Sequence, residues 1–311
     1  MLISVIIVNH NTGNILKECI DSLHKYEDST VIEIIIIDNF SSDNSREVIN
    51  LLCVDYKNVQ SIYTDSLISF SAANNSGIKI AKGEFILIMN PDIIFTEPVI
   101  GKLTEKLKAY PEIGAVSPAL TGTDGKFQRN YFQRFPTIRQ YIFYQSVLAG
   151  LFNKSPGRMN KYLENQEIDI STGQLYLTEQ IPCAFFLTTK NILENMGLMD
   201  DGFILFFEDV DLSYRIRKNR SLAVLTDIKV THLGGSSFKT EDNWWMYGRY
   251  VVSMIYFFRK HYSKSRTFFL KLLVYINSYF VILIENIKKL AGRSDSYRLK
   301  KHKYLLKLMK N

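Results

Sequence analysis

The chain has 311 residues, 46% of them apolar and 22% charged, with a formal net charge of +7. That is ample material for one large α/β domain or two smaller ones. Residues 285–311 hold nine Lys or Arg against two acids and so carry the whole excess; the neutral remainder argues against a nucleic-acid-binding body and for a basic terminal segment.

The N-terminal stretch MLISVIIVNHN enters an apolar run without a charged leader or a cleavage site, so no signal peptide is expected. ISVIIVN reads as a buried strand, followed by helical spacing in GNILKECIDSLHKY. IEIIIID reads as a second strand, and SDNSREVINLL as a second helix capped by Ser42 or Asp43. Next come the strand VQSIYT, the helix SAANNSGIKIAK, the strand GEFILIMN, the helix EPVIGKLTEKLKAY and the strand IGAVSPAL. Continuous apolar strands alternating with amphipathic helices predict a Rossmann-like α/β domain with a mostly parallel sheet flanked by helices.

From Gly122 to Glu179 the pattern weakens. FQRNYFQRFPTIRQYIFYQ is aromatic and basic without one period, as in a loop that receives an extended substrate or in a plain helical insertion. IPCAFFLTTKNILENMG then reads as strand and helix, EDVDLSYRIRKN as a helix, and LAVLTDIKVTHLGG as a strand ending in a glycine turn. From Asn243 the chain is expected to be helical to the end. The run Phe268 to Ile284 is interrupted by Lys271, Asn277 and Ser278. It is short for a membrane span and suits an interfacial or packing helix. Cys19, Cys53 and Cys183 are odd in number and lack a Cys-x-x-Cys pair, so they read as free thiols of a reducing compartment.

Sheets of this type bind ligands at the carboxyl ends of their strands. The polar residues there are Asn9 and Asn11, Asp38 and Asn39, and Asn90 and Asp92. No G-x-G-x-x-G follows the first strand and no G-x-x-x-x-G-K-[ST] occurs, which removes the main support for dinucleotide and P-loop chemistry. In LIMNPDIIF, Pro91 cannot continue the ladder, so Asp92 is held at the mouth of the sheet. A single carboxylate there, with a diphosphate, suits Mg or Mn; a turn cap is the plainer reading.

FFEDVDLSYRIRKN places Glu208, Asp209 and Asp211 at a helix start, after an apolar wall. Asp211 and Arg215 are spaced to pair. The helix dipole favours acids in the first turn, yet a carboxylate beside apolar surface gains a raised pKa and can act as a general base. His232 ends a strand before two glycines, where it could be structural or reach a metal or phosphate.

Together SVIIVNHN, IIIIDNFSSDNS, AANNSGI, FILIMNPD, GLMDDGFILFFEDVDLSYRIRKN and VTHLGGSS, in this order, resemble the family 2 glycosyltransferases of the GT-A fold, and within them the rhamnosyltransferase-like branch. The resemblance runs from Leu2 to Ser237. It implies a transferase domain over residues 1–240; the helical, basic composition of residues 241–311 suits a membrane-associating segment. It implies a nucleotide site built from Val8, Asn9, Asn11, Asp38, Asn39, Asn75 and Asn90, with Asp38 at the base. Asp92 stands at the metal-holding position of the DXD-type motif, whose first acid is Asn90 here, and His232 would complete the metal or diphosphate site. Asp209 would be the catalytic base, supported by Glu208 and Asp211. Two positions depart from the family: Leu67 and Ser69 replace an Asn and a Gly, and Asn219 and Arg220 stand where a Gly ends the helix. Asn219 in the left-handed conformation would still end it.

The implied function is inverting, metal-dependent transfer of a sugar from a nucleotide sugar to a glycan or lipid-linked acceptor in bacterial cell-surface polysaccharide synthesis, with dTDP-rhamnose as first donor. The alternatives are a UDP-sugar donor (galactofuranose, N-acetylhexosamine or hexose), a nucleotidyltransferase, and a nucleotide-binding protein without catalysis. No nucleic acid is expected as a partner. The basic tail implies a cytoplasmic enzyme peripheral to the inner face of an anionic membrane; homodimer contacts are the other role open to it.

Overall fold

In a computed structural model of the chain, the described residues are 2–149, 173–234, 243–290, 292–293 and 295–310. The stretches 150–172 and 235–242 lie outside them, and with them part of the weakly patterned insertion and the expected boundary at residue 240. The described residues form two units, one from 2–135, 173–202 and 208–234, the other from 136–149, 203–207 and 243–310.

The first unit is a sheet covered on both faces. Strands β1 (Ile3–Asn9), β2 (Ile32–Asp38), β3 (Val59–Tyr63) and β4 (Phe85–Met89) are all parallel, in the order β3-β2-β1-β4. Side chains alternate across a strand. Ile3, Val5 and Ile7 therefore enter one core with helices α1 (Gly13–Tyr26), α2 (Ser45–Asp55) and α4 (Ile100–Ala109). Ile6 and Val8 enter the other, with α3 (Phe70–Ile80). Helix α3 lies close on the sheet because Gly77 has no side chain; a Cβ there would stand 2.8 Å from both Ile6 and Ile37.

Beyond β4 the sheet is mixed. It continues β8-β6-β9-β5, with β5 (Ile93–Ile94), β6 (Ile113–Thr121), β8 (Phe185–Thr189) and β9 (Ser221–His232), and β7 (Leu175–Thr178) pairs with β9. Strand β8 is antiparallel to both β4 and β6, while β6 and β9 are parallel. The expected parallel arrangement holds for the first four strands and for β6 with β9; an apolar run carries no direction, and β5, β7 and β8 run antiparallel to their neighbours. Helices α5 (Lys190–Asn195) and α6 (Glu208–Ile216) complete this unit.

Helix α2 starts later than expected. Asp43 does accept the Ser45 N–H (3.0 Å), but Ser42 does not cap it and instead donates to Asn11. Helix α6 ends through a turn at 217–220 without any left-handed residue, so Asn219 does not play the role expected of it. The substituted Ser69 has a structural use: its hydroxyl caps α3 by accepting the Ala72 N–H at 3.2 Å. All three cysteines are free, and Cys19 and Cys183 are buried.

The second unit is helical, with α7 (Trp244–His261), α8 (Lys264–Leu290) and α9 (Ser296–Leu308). Helix α8 is longer than the broken apolar run suggested. Of its polar interruptions Lys271 is exposed, whereas Asn277 and Ser278 face inward: Asn277 accepts the Val147 N–H (2.7 Å), and Ser278 meets His302 (3.1 Å). By length and composition it could cross a membrane, although one such helix is weak evidence for a span.

Candidate active site

The site is assembled at the carboxyl ends of the strands of the first unit. Asn9 and Asp38 are register partners at the ends of β1 and β2. The Asn9 amide donates to Asp38 Oδ1 (3.0 Å) and to Ser41 Oγ (3.2 Å), and its own oxygen accepts from Thr12 (2.7 Å). Asn11 sits at φ 54, a left-handed backbone that Asn tolerates. Its side chain accepts the Ser42 N–H at 2.7 Å. The Asn39 side chain exchanges two hydrogen bonds with the Ile68 backbone. His10 donates from Nδ1 to the Asn39 carbonyl at 2.8 Å. Asp38 and Asn9 are thus buried and cross-braced, a rigid floor at the mouth of β1 and β2. Val8 lies beneath that floor in the core.

Asn75 sits elsewhere. Its amide donates to the Met199 carbonyl (2.8 Å) and accepts the Met199 N–H (3.0 Å), so both ends brace the turn after α5. The structure does not group it with the Asn9–Asp38 floor.

Two acid-bearing turns meet at the segment Pro182–Ala184. From the β4 side, the Asn90 N–H donates to the Ala184 carbonyl at 3.1 Å, and Asp92 follows two residues on. From the α6 side, Ser213 Oγ accepts the Ile181 N–H at 3.1 Å. The N–H groups of Val210 and Cys183 favour the charged form of Asp209. The Asp92 and Asp209 charges also both raise the pKa of the Tyr131 phenol, after burial, which is the larger cause. Through Ala184 and Cys183, neighbours in the chain, the turns that bear residues 92 and 209, far apart in sequence, adjoin one another.

On the β4 side, Ile93 pairs with His232 at the end of β9, and the Leu233 N–H donates to the Asp92 carbonyl at 3.0 Å. His232 Nε2 stands 3.3 Å from Asp92 Oδ1, and both residues are buried. Gln128 decides which ring nitrogen is protonated. Its Nε2 donates to the His232 carbonyl (2.9 Å), an atom that can only accept, so its Oε1 faces His232 Nδ1 (2.7 Å) and accepts the proton there. In the neutral ring the Nε2 lone pair then points at a carboxylate oxygen. A proton on the ring or a cation between the two atoms closes such a contact. One carboxylate and one imidazole suit a divalent ion that completes its shell with phosphate oxygens and water. The residues fit that group, although no cluster of three ligand-type side chains occurs among the described residues.

The three acids of α6 separate by environment. Asp211 is fully buried and paired with Arg215 at 2.8 Å, as the spacing predicts, and Arg215 also donates to the Met196 carbonyl at 2.7 Å. Asp211 therefore anchors the helix and does not face the cleft chemistry. Glu208 and Asp209 are half-buried. The Glu208 pKa is raised to about 8, by burial first and the Asp209 charge second. Burial also raises Asp209. Glu208 Oε2 is sealed from solvent and meets no hydrogen-bond partner among the described residues. Directly before them, Phe206 (φ 67) and Phe207 (φ 72) are both left-handed, costly for bulky side chains.

Gln128 and Tyr131 escaped sequence reasoning. They lie in the aperiodic stretch FQRNYFQRF, where no spacing marks one polar or aromatic residue above its neighbours. The ring of Tyr131 packs edge-on against His232 at 4.8 Å.

The fold is that of the GT-A glycosyltransferases, and the comparisons agree. Residues 4–182 match the family described as Glycosyl transferase family 2, and the chain belongs to that family. Glycosyltransferase GlyG of Streptococcus pneumoniae is 35% identical over 107 residues, 34% of this chain and 35% of that protein. The poly(ribitol-phosphate) beta-glucosyltransferase of Bacillus spizizenii is 37% identical over 94 residues, 30% of this chain and 15% of that protein. These matches thus span about a third or less of the relatives' own lengths. The poly(ribitol-phosphate) beta-N-acetylglucosaminyltransferase TarP of Staphylococcus aureus is 22% identical across 95% of this chain and 91% of its own. Among solved structures, the mannosyltransferase PcManGT of Pyrobaculum calidifontis, in complex with GDP-Man and Mn2+, has a TM-score of 0.57 at 13% identity, covering 98% of this chain and 84% of that one. S. aureus TarS 1-349 with UDP-GlcNAc has a TM-score of 0.54 at 14% identity, covering 86% and 69%. At such identities these two carry the fold alone.

Proposed function

We propose that the protein is an inverting, metal-dependent glycosyltransferase that moves a sugar from a nucleotide sugar to a glycan or lipid-linked acceptor in bacterial cell-surface polysaccharide synthesis. The observation that carries this reading is the 3.3 Å approach of His232 Nε2 to Asp92 Oδ1 at the strand ends, a carboxylate–imidazole pair suited to the cation of a donor diphosphate.

In this reading the Asn9–Asp38 floor, with Asn11 and Asn39, receives the nucleoside. Asp92 and His232 would hold a divalent ion, which supplies charge stabilisation for the departing diphosphate. Asp209 takes the proton of an acceptor hydroxyl as that oxygen bonds to the anomeric carbon. The bond from that carbon to the diphosphate oxygen breaks on the opposite face, the nucleoside diphosphate leaves, and the anomeric configuration inverts. A well-placed base contributes roughly 10²–10⁴-fold. Glu208, pushed up to about 8 by burial first, keeps its proton at neutral pH and so removes a like charge from beside Asp209. Asp211 supports from beneath through Arg215.

For the donor, the expectation of dTDP-rhamnose rests on resemblance alone. The relatives whose names specify a sugar are a glucosyltransferase, an N-acetylglucosaminyltransferase and a poly-beta-1,6-N-acetyl-D-glucosamine synthase, which favours a UDP-hexose or UDP-N-acetylhexosamine as the first donor to test and dTDP-rhamnose as the second. The nine cations of residues 285–311 favour a cytoplasmic enzyme peripheral to an anionic leaflet. Incubation with UDP- and dTDP-sugars, with and without Mn2+, tests the assignment. Slow metal-dependent release of nucleoside diphosphate supports a transferase. Binding without any release, with and without acceptor glycans, would leave a nucleotide-binding protein instead.

A further inference from the structure

The outer face of α8 is unlike the rest of the surface. Phe268, Leu272, Ile276, Tyr279, Leu283 and Ile287 are each 41–68% exposed. At 100° per residue they share an arc of about 100° and run along about 30 Å of helix. No charged residue between 268 and 290 falls in that arc; Asn286 is its one polar member. The opposite face, with Leu270, Val274, Asn277, Ser278, Val281 and Glu285, is buried in the helical unit. Scattered exposed apolar residues need no explanation, but a continuous stripe does.

Helix α9 packs against α8 in the same unit and carries the charge. Lys300, Lys303 and Lys307 of α9, with Lys310 just beyond it, are all exposed and recur at spacings of three, four and three, so they too form one stripe. The acids nearby do not neutralise it. Glu285 is buried and engaged by Lys288 (3.0 Å) and Arg298 (3.6 Å), and Asp295 caps α9.

We propose that the outer face of α8 lies in the headgroup–acyl boundary of an anionic membrane, with the α9 lysines against the headgroups. This rests on the peripheral-membrane reading above and assigns it a surface. Charge selects lipid over a second copy of the chain. Two copies meeting here would bring together two terminal segments that each carry an excess of seven positive charges, whereas each Lys near an anionic leaflet gains about 1 kcal/mol. An amphipathic helix with a bare apolar face and a basic flank has the composition of an interfacial element.

The test uses the full chain and vesicles of phosphatidylglycerol mixed with phosphatidylcholine, against pure phosphatidylcholine. Wild type sediments with the anionic vesicles. Ile276→Asp/Leu283→Asp, whose sites are exposed, keeps the wild-type circular dichroism and thermal midpoint and weakens partitioning at least roughly tenfold. Phe280→Trp reports contact directly through a blue-shifted emission on vesicle addition. Undiminished binding of the double Asp variant together with an unshifted Trp overturns the inference while leaving electrostatic docking by the tail intact. Absence of wild-type binding overturns both. A wild-type dimer in sedimentation velocity that the Asp pair converts to monomer, without lipid binding, assigns the face to a second copy. Sugar transfer to a soluble acceptor is a separate readout, so none of these outcomes touches the catalytic assignment.

Discussion

Gln128 and His232 exchange two hydrogen bonds, and the pair fixes the imidazole with its Nε2 turned toward Asp92. On the proposed reading Gln128 is a positioning residue that touches no substrate. Partners of this kind cost 10–100-fold in metal affinity when removed. Gln128→Leu is therefore expected to weaken Mn2+ binding by roughly that factor, measured by electron paramagnetic resonance on the unliganded protein, with nucleoside binding in the absence of metal unchanged. Equal Mn2+ affinity in wild type and variant would separate Gln128 from the cation site.

Asp209 and Asp211 are two residues apart and predict opposite phenotypes. Asp209→Asn removes the base and a crowded charge, so fold and donor binding persist while transfer falls by roughly 10²–10⁴-fold or more. Asp211→Ala strands Arg215 beside a buried cavity, and breaking a buried pair costs about 3–5 kcal/mol. Urea unfolding followed beside single-turnover assays distinguishes them. Retained turnover in Asp209→Asn removes the base assignment, and unchanged stability in Asp211→Ala removes the anchor.

Much of this was legible in the sequence because it follows from local period and punctuation. The runs ISVIIVN and IEIIIID are apolar at every other residue on both faces, which only a covered strand tolerates, and Asn9 and Asp38 end them where ligands bind. The Asp211–Arg215 pair follows from helical spacing alone. The antiparallel insertion of β8 between β4 and β6 was not legible, because strand direction depends on distant partners. Gln128 was invisible for a related reason: its importance comes from a contact 104 residues away, in a loop without periodicity. Asn75 sits in a motif-like stretch, yet its side chain is spent on Met199, which only coordinates reveal.

Glu208 links stability to pH. Its pKa in the folded protein, about 8, lies above the ordinary value of 4.5. The folded state thus holds a proton that the unfolded chain releases. The stabilising contribution is whole below the ordinary value, shrinks as pH rises, and is gone above about pH 8. Asp209 is raised as well and acts in the same direction. The thermal midpoint of wild type is expected to fall between about pH 5 and about pH 9, and Glu208→Gln to fall less over that interval. Parallel curves for the two proteins in a pH series of thermal unfolding would place the proton elsewhere.

Phe40 combines strain with exposure. It follows Asp38 and Asn39 at the end of β2, holds φ 61, and is 53% exposed. Its neighbours leave it little choice. The Asn39 N–H donates to the Asn9 carbonyl (2.8 Å), and Ser41 accepts from both Asn9 and the Asn11 N–H. A bulky residue pays about 1 kcal/mol or more for that backbone, and Gly pays none. Phe40→Gly is accordingly expected to raise the unfolding midpoint. If the ring is a platform at the mouth of the nucleoside site, the same change lowers UDP or dTDP affinity roughly tenfold, the scale of an aromatic–base stack. Thermal unfolding and isothermal titration on one pair of proteins decide the matter. A gain in stability with unchanged nucleotide affinity would show that the ring only sits in solvent, whereas opposite movement of the two quantities is the behaviour of backbone strain held for binding.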